Sequence, residues 1–278
     1  MLRLNKAINK FLFCYRITRD SNSFFKLLWN TKKFKWKQAA TSSKAYYNVE
    51  EKYNLAFNQQ TFQVFLRTFS GDIAIFYEIF WNKVYQLPVE CYKNANTIVD
   101  LGANIGLATL YFSHQCKNAF IYSVEPEESN FKMLLKNLKS GIIKKNIIPL
   151  HAAIDSKDGE ASIQINGLLY NSTIIAANEN SALVRTISMK TLCNRFNINR
   201  IDILKIDIEG TEKRLFEEDI DWLEKVKYLL IEFHSDAIKA FCIEILVSKS
   251  FMMHPIKTFN KNSRLFWAVN NSVVSITN

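Results

Sequence analysis

Glycine and proline are scarce in this chain, at 7 and 4 of 278 residues. With 48% hydrophobic residues and no low-complexity tract, that composition excludes a disordered chain and predicts a sizeable packed core. No apolar stretch reaches the roughly 18 residues of a membrane-crossing helix, and no internal repeat is visible. Cysteine is sparse too. Cys14, Cys91, Cys116, Cys193 and Cys242 are odd in number and no two stand at metal-ligand spacing, which predicts reduced, mostly buried thiols. The apolar run from Phe11 to Tyr15 is too short for a secretory segment and is followed by Arg16, so no signal peptide and a cytoplasmic location are expected.

Positive charge is present but unevenly placed. Residues 1–52 hold 12 Lys and Arg against 3 Asp and Glu, whereas residues 53–278 hold 24 against 23. The length suits one α/β domain plus an extra segment, and the asymmetry divides it into a basic, aromatic helical extension (1–58) and a near-neutral domain (59–278). In the extension, apolar residues recur at three- and four-residue steps over 2–16 and 21–36, the period of helices. Its aromatics alternate with cations, most densely in Lys32-Lys33-Phe34-Lys35-Trp36-Lys37. Such a segment can pack its rings on the domain and leave its lysines solvated. It can instead contact an anionic membrane surface or an anionic substrate, which would make the protein peripheral to a membrane. Nucleic acid is the least favoured partner.

The remainder alternates strand and helix. TFQVFLRTF (61–69) reads as an edge strand, and a helix capped by Asp72 follows. Strands are expected at 97–101, 119–125, 146–153, 202–207, 228–234 and 264–269. Helices are expected at 106–115, 129–140, 212–218 and 235–248. This order implies βαβ units and a parallel sheet. The stretch 156–187 breaks the pattern and reads as short antiparallel strands.

Four segments carry chemistry. In Val99-Asp100-Leu101-Gly102-Ala103-Asn104-Ile105-Gly106 a buried strand ends in an acid and opens into a glycine turn that starts a helix. In an open parallel sheet a ligand binds at such a turn. A dinucleotide fingerprint would need glycine at 104 and 107, where Asn104 and Leu107 stand. The G-x-x-x-G spacing instead suits S-adenosylmethionine, whose amino and carboxylate groups Asp100, Asn104 and backbone amides can serve. Glu125 ends the next strand, where a carboxylate can accept from ribose hydroxyls. The third segment, Asp202 to Glu212, places Asp207, Glu209 and Glu212 at the end of a later strand, with Lys205 inside it. Clustered carboxylates there require a cation, a donor-rich substrate or a helix N-terminus. The fourth, Ile231-Glu232-Phe233-His234, ends in a histidine, the usual base near neutral pH. A divalent metal on Asp207, Glu232 and His234 is weighed here, but no metal is assigned.

These segments, in this order, resemble the FkbM family of S-adenosylmethionine-dependent methyltransferases. The resemblance rests on IFYEIFWNKVY, IVDLGANIGLATLYF, VEPEESNFKMLLKNL, DILKIDIEGTE and IEFH, and covers about residues 60–235. It implies a class I, Rossmann-like α/β fold with a mostly parallel seven-stranded sheet and helices on both faces. It implies S-adenosylmethionine as cofactor, held by Asp100, Gly102, Asn104, Gly106, Glu125 and Ala153, the last in the Ala-rich turn before Asp158-Gly159. It further implies O-methylation of a hydroxyl on a sugar, glycan or other small molecule, and Asp207, Glu209 and Gly210 match its second hallmark. From the residues themselves the catalytic candidates are Asp207, Glu209 and His234, any of which could take the hydroxyl proton. The competing reading is a non-catalytic binding module of the same fold, recruited through its basic arm.

Overall fold

The computed structural model describes residues 2–39, 48–140, 146–165, 172–175, 182–256 and 264–274. Two helices open the chain, α1 (Leu2–Ile17) and α2 (Ser21–Ala39). Asp20 joins them: its carboxylate accepts from the Ser23 backbone N–H at 2.7 Å and the Ser23 hydroxyl at 2.9 Å, meeting amides that a helix start leaves open. A hairpin follows, β1 (Glu50–Phe57) and β2 (Gln60–Arg67), which turns at Asn58 and Gln59. Both turn residues have positive φ, 48° and 62°, as a two-residue type I′ turn requires. The segment expected at a sheet edge is thus half of a separate two-stranded sheet.

The boundary expected at residue 58 falls inside that turn. Cys14, Ile17 and Leu27 of the helices and Leu55 of β1 lie in one buried cluster with Ile73, Phe76 and Phe112. The extension therefore shares the core of the domain on its inner face. Its polar groups also reach inward: the Thr31 and Tyr77 hydroxyls are 2.9 Å apart, and Asn30 donates to the Tyr53 hydroxyl at 2.8 Å.

Helix α3 (Asp72–Phe80) is preceded by Gly71 in a left-handed conformation. Asp72 is not its cap. It lies inside the helix, and its carboxylate is held by Arg67, whose backbone N–H and guanidinium donate to it at 2.7 to 3.0 Å. Short α4 (Val89–Lys93) leads into the main sheet.

That sheet takes shape through β3 (Thr97–Leu101), α5 (Leu107–Gln115), β4 (Phe120–Glu125), α6 (Glu128–Ser140) and β5 (Ile147–His151). The chain then leaves it, so the run expected as one strand over 146–153 is split. Ala152 divides β5 from β6 (Ala153–Asp155), which belongs to a four-stranded sheet with β7 (Gly159–Ile165), β8 (Ser172–Ile175) and β9 (Ala182–Ser188). β7 pairs antiparallel with β8 and β9, as 156–187 was expected to do. After α7 (Met189–Arg195) come β10 (Ile201–Ile206), α8 (Glu212–Leu215), β11 (Val226–Glu232), α9 (Asp236–Ser248), β12 (Phe251–Pro255), β13 (Leu265–Asn270) and α10 (Asn271–Val274). The seven strands stand in the order β12-β13-β11-β10-β3-β4-β5, parallel from β11 to β5, with β13 running antiparallel between β11 and β12.

Alternation along the strands builds two cores. Ile98, Ile121, Ile203 and Leu230 face one side with α5 and α6. Their neighbours Val99, Tyr122, Leu204 and Leu229 face the other with α7 and α9. Both faces are covered, as a parallel sheet needs. All five thiols are buried and none forms a disulfide.

Candidate active site

The strand order reverses between β3 and β10, so the loops that leave them diverge and open a cleft at the carboxyl edge of the sheet. Its volume is about 830 Å³, within the range of small-molecule sites. Gly102 and Asp207 form its floor. Gly102 has φ +74°, and a Cβ there would stand 1.8 Å from the Asp207 carbonyl oxygen. Only glycine lets the two backbones meet this closely. Gly106 (φ +84°) meets Leu134 Cδ1 at 2.5 Å in the same test, so it presses the start of α5 onto α6 and does not itself line the cleft.

Asn104 also holds a left-handed backbone, φ 50°. Its side-chain oxygen accepts from the Ile105 N–H at 2.7 Å, and its own N–H donates to Glu125 Oε2 at 2.8 Å. Glu125 Oε1 accepts from the Glu127 N–H at 2.9 Å. Each Glu125 oxygen keeps acceptor capacity for a ligand. Burial pushes this carboxyl up to about 7, against the hydrogen bonds that favour its charge. Ala153, at the start of β6, lines the same wall.

Asp100 is placed differently from expectation. It is fully buried and outside the cleft lining. Its carboxylate accepts from the Thr109 hydroxyl at 2.7 Å and pairs with Lys205 Nζ at 3.1 Å. The same ammonium donates to the Gly102 carbonyl at 2.7 Å and the Leu101 carbonyl at 3.2 Å. Asp100 therefore fixes Lys205, and Lys205 fixes the glycine turn. Burial lowers the Lys205 pKa, but Asp100 and Asp207 more than offset it, so the ammonium stays charged.

The acidic strand end surrounds His234. The ring Nδ1 is 2.6 Å from Oε1 of the fully buried Glu212, and Nε2 is 3.3 Å from Glu209 Oε2 and 3.7 Å from Asp207 Oδ1. Burial opposes charge on the imidazole, but the Glu212 hydrogen bond and the three carboxylates prevail and raise it to about 9. These carboxylates favour the protonated ring at neutral pH, in which His234 donates to the acids around it. Glu209 is pushed up to about 7 by burial and by Asp207. Its φ of 54° is a conformation that L residues seldom adopt, of the kind found at ligand sites. Glu232 is likewise raised to about 7 by burial and Asp207.

Two wall residues lie in the IFYEIFWNKVY segment of the resemblance but were not among the site candidates. The Tyr85 hydroxyl donates to Asp207 Oδ2 at 3.0 Å. Glu78 lines the cleft from α3, beside Ile75 and Asn82. The spacing of those three follows a helix face, and Glu78 is an acid within the apolar run DIAIFYEIF, the one feature that marks the face.

Asp207, Glu209 and His234 each offer one ligand atom, and the three atoms lie within 4.8 Å of one another. The position between them suits either the Nε2 proton or an oxygen-preferring divalent cation. Glu232, weighed earlier as a partner of Asp207 and His234, is outside that group.

The chain is similar to known methyltransferases. The family described as "Methyltransferase FkbM domain" matches residues 100–254. The hexuronic acid methyltransferase AglP of Haloferax volcanii is 26% identical over 155 residues, covering 55% of this chain and 62% of that protein. The methyltransferase sdnD of Sordaria araneosa is 27% identical over 51% of this chain and 70% of its own length. This chain thus spans less than two thirds of the first of these relatives. The crystal structure of methyltransferase FkbM from Methylobacillus flagellatus superposes with a TM-score of 0.47 at 13% identity, over 72% of this chain and 52% of that one. Matched over more than half of its length, through the glycine turn, Glu125 and the acidic strand end, the chain belongs to the FkbM family of S-adenosylmethionine-dependent methyltransferases.

Proposed function

We propose that the protein O-methylates a hydroxyl of a sugar-like acceptor, a small molecule or a glycan, with S-adenosylmethionine as donor. One observation carries the reading: the glycine turn and the acidic strand end touch, Gly102 against the Asp207 carbonyl, so donor site and proton acceptors share one cleft. S-adenosylmethionine, when bound, supplies a methyl carbon activated by its sulfonium. The chain must position the acceptor oxygen and take its proton. Gly102, Asn104, Glu125 and Ala153 line the donor side. On the other side Glu209 has a carboxyl poised near neutral pH and accepts the hydroxyl proton. The His234 imidazolium, fixed by Glu212, holds Glu209 and Asp207 in place, and the Tyr85 hydroxyl holds the second oxygen of Asp207.

Hydroxyl-rich acceptors fit a wall of carboxylates, because Glu78 and Glu232 accept hydrogen bonds from hydroxyls. Arg264 lines the same cleft and donates to the His234 carbonyl at 2.8 Å. Its guanidinium suits an acceptor that also carries a carboxylate, in keeping with a relative named for hexuronic acid. The basic arm adds a peripheral contact with an anionic membrane surface to this reading. The test is to incubate the protein with methyl-labelled S-adenosylmethionine and neutral or uronic oligosaccharides, then locate the label by NMR. Label on a sugar oxygen is expected. Label on nitrogen or carbon contradicts the reading, and cofactor binding with no transfer to any acceptor favours the binding module.

A further inference from the structure

The two N-terminal helices are amphipathic in an unusual sense, because their outward faces are also apolar. On α1 the exposed residues Ile8, Phe11, Leu12 and Tyr15 recur at helical steps, and Tyr15 is 68% exposed. On α2 the exposed aromatics are Phe25, Trp29 and Trp36, at 65%, 51% and 58%. Lys32 fills the turn between the two tryptophans and is exposed with them. The inward faces are different residues: Cys14 and Ile17 on α1, Leu27, Asn30 and Phe34 on α2. The outward stripes join into one surface. Phe24 lies edge-on to Phe11 at 5.2 Å, to Tyr15 at 6.1 Å and to Phe25 at 5.2 Å, and Trp29 meets Trp36 at 5.7 Å.

Charge says what covers this surface. Residues 1–52 hold four times as many cations as anions, and the anions are engaged. Asp20 closes the turn between the helices, Glu51 pairs with Lys26 at 2.7 Å, and Glu50 pairs with Lys136. A second copy of the same face would set two strongly cationic arms against each other, which disfavours self-association. Tryptophan and tyrosine have apolar bodies and polar tips and settle at the headgroup level of a bilayer, while flexible lysines reach anionic groups beside them. No helix among the described residues is long and apolar enough to cross a membrane, so the helices would lie on the surface.

We infer that the outward face of α1 and α2 is an interfacial anchor for a bilayer with anionic headgroups. The anchor is coupled to the cleft through α3. One side of α3 holds the arm: Phe76 and Tyr77 meet Phe13 at tilted angles, at 6.1 and 6.0 Å between ring centres, and the Tyr77 hydroxyl stands 3.3 Å from Cys14 Sγ. Its other side, with Ile75 and Glu78, is cleft wall. In a docked enzyme α3 thus touches both the membrane-bound layer and the cleft, which suits an acceptor carried at a membrane. That consequence rests on the methyltransferase reading; the anchor itself does not, and vesicle binding is measured without turnover.

The experiment is co-sedimentation of the full chain with phosphatidylcholine vesicles, with and without a phosphatidylserine fraction, at low and physiological salt. Tryptophan emission is recorded in parallel. Pelleting with the anionic vesicles alone, weakened by salt, is expected, with a blue shift from Trp29 and Trp36. Lys32→Glu combined with Lys35→Glu should lower partitioning by at least about tenfold. The exposed substitutions Phe25→Ser, Trp29→Ser and Trp36→Ser together should abolish pelleting and the shift while leaving the fold intact by circular dichroism. Equal pelleting with both vesicle types, no pelleting with either, or indifference to both sets of substitutions would overturn the proposal. So would a solution dimer that the aromatic substitutions dissolve, or binding to duplex DNA in place of vesicles.

Discussion

His234, Glu209 and Glu125 have proton affinities far from those of free side chains, and each shift has a measurable consequence. Turnover requires Glu209 ionised and His234 protonated in this account. The rate should therefore rise with an apparent pKa near 7 and fall near 9, values that belong to the interacting group as a whole. His234→Gln should remove the falling limb and leave the rising one; an unchanged profile would show that the imidazolium is not needed. Stability follows the same shifts. A carboxyl whose folded pKa is raised binds its proton more tightly in the folded state, so stability falls as pH rises from about 4.5 to 7 through Glu125, Glu209 and Glu232. The His234 contribution is full below 6.5 and is lost as pH passes 9. Glu209→Gln should accordingly flatten the fall in melting temperature between pH 5 and 7, as calorimetry would show. Glu125→Ala should weaken S-adenosylmethionine binding by about 1–3 kcal/mol, the cost of unpaired buried hydroxyl donors, measured by titration calorimetry in a protein that remains folded.

At the scale of elements, the turn after β3 and the end of β10 were legible in sequence because buried parallel strands read as continuous apolar runs that stop at an acid and a glycine. The antiparallel insertion at 156–187 was legible from its lack of helical period. Side-chain partners were not. Asp100 and Glu125 both end strands in the sequence, yet one is sealed beneath the turn by Lys205 and the other opens into the cleft. Nothing in local sequence distinguishes them, since the difference lies in which neighbour each strand acquires. Tyr85 and Glu78 stand in the quoted IFYEIFWNKVY segment, but their place in the site was not legible for the same reason: they reach it from α3 and the loop after it. Asp72 read as a cap because capping and ion pairing use the same side chain at the same place. Its pairing with Arg67, with both side chains at most 4% exposed, ties β2 to α3. Asp72→Ala leaves a buried guanidinium uncompensated and should cost about 3–5 kcal/mol by denaturant titration. A loss below 1 kcal/mol would mean that Asn130 and Ser129, which also accept from Arg67, suffice to hold it.

Over the whole molecule, the seven-stranded sheet, covered on both faces, supplies a rigid edge, and the cleft forms where the strand order reverses. The basic arm, separable by charge in the sequence, is continuous with the domain in its packing. The glycine turn and the acidic strand end converge on that edge from elements more than a hundred residues apart, because Gly102 lets the β3 and β10 loops touch. The central claim is that this convergence makes Glu209 the base in methyl transfer to a hydroxyl. It is tested most directly by the rate of label transfer from saturating S-adenosylmethionine to an oligosaccharide acceptor, compared between the natural protein and Glu209→Gln. Glu209→Gln is expected to bind the cofactor with unchanged affinity and to turn over about 10² to 10⁴ times more slowly. Full turnover by that variant, at equal cofactor saturation, would contradict it.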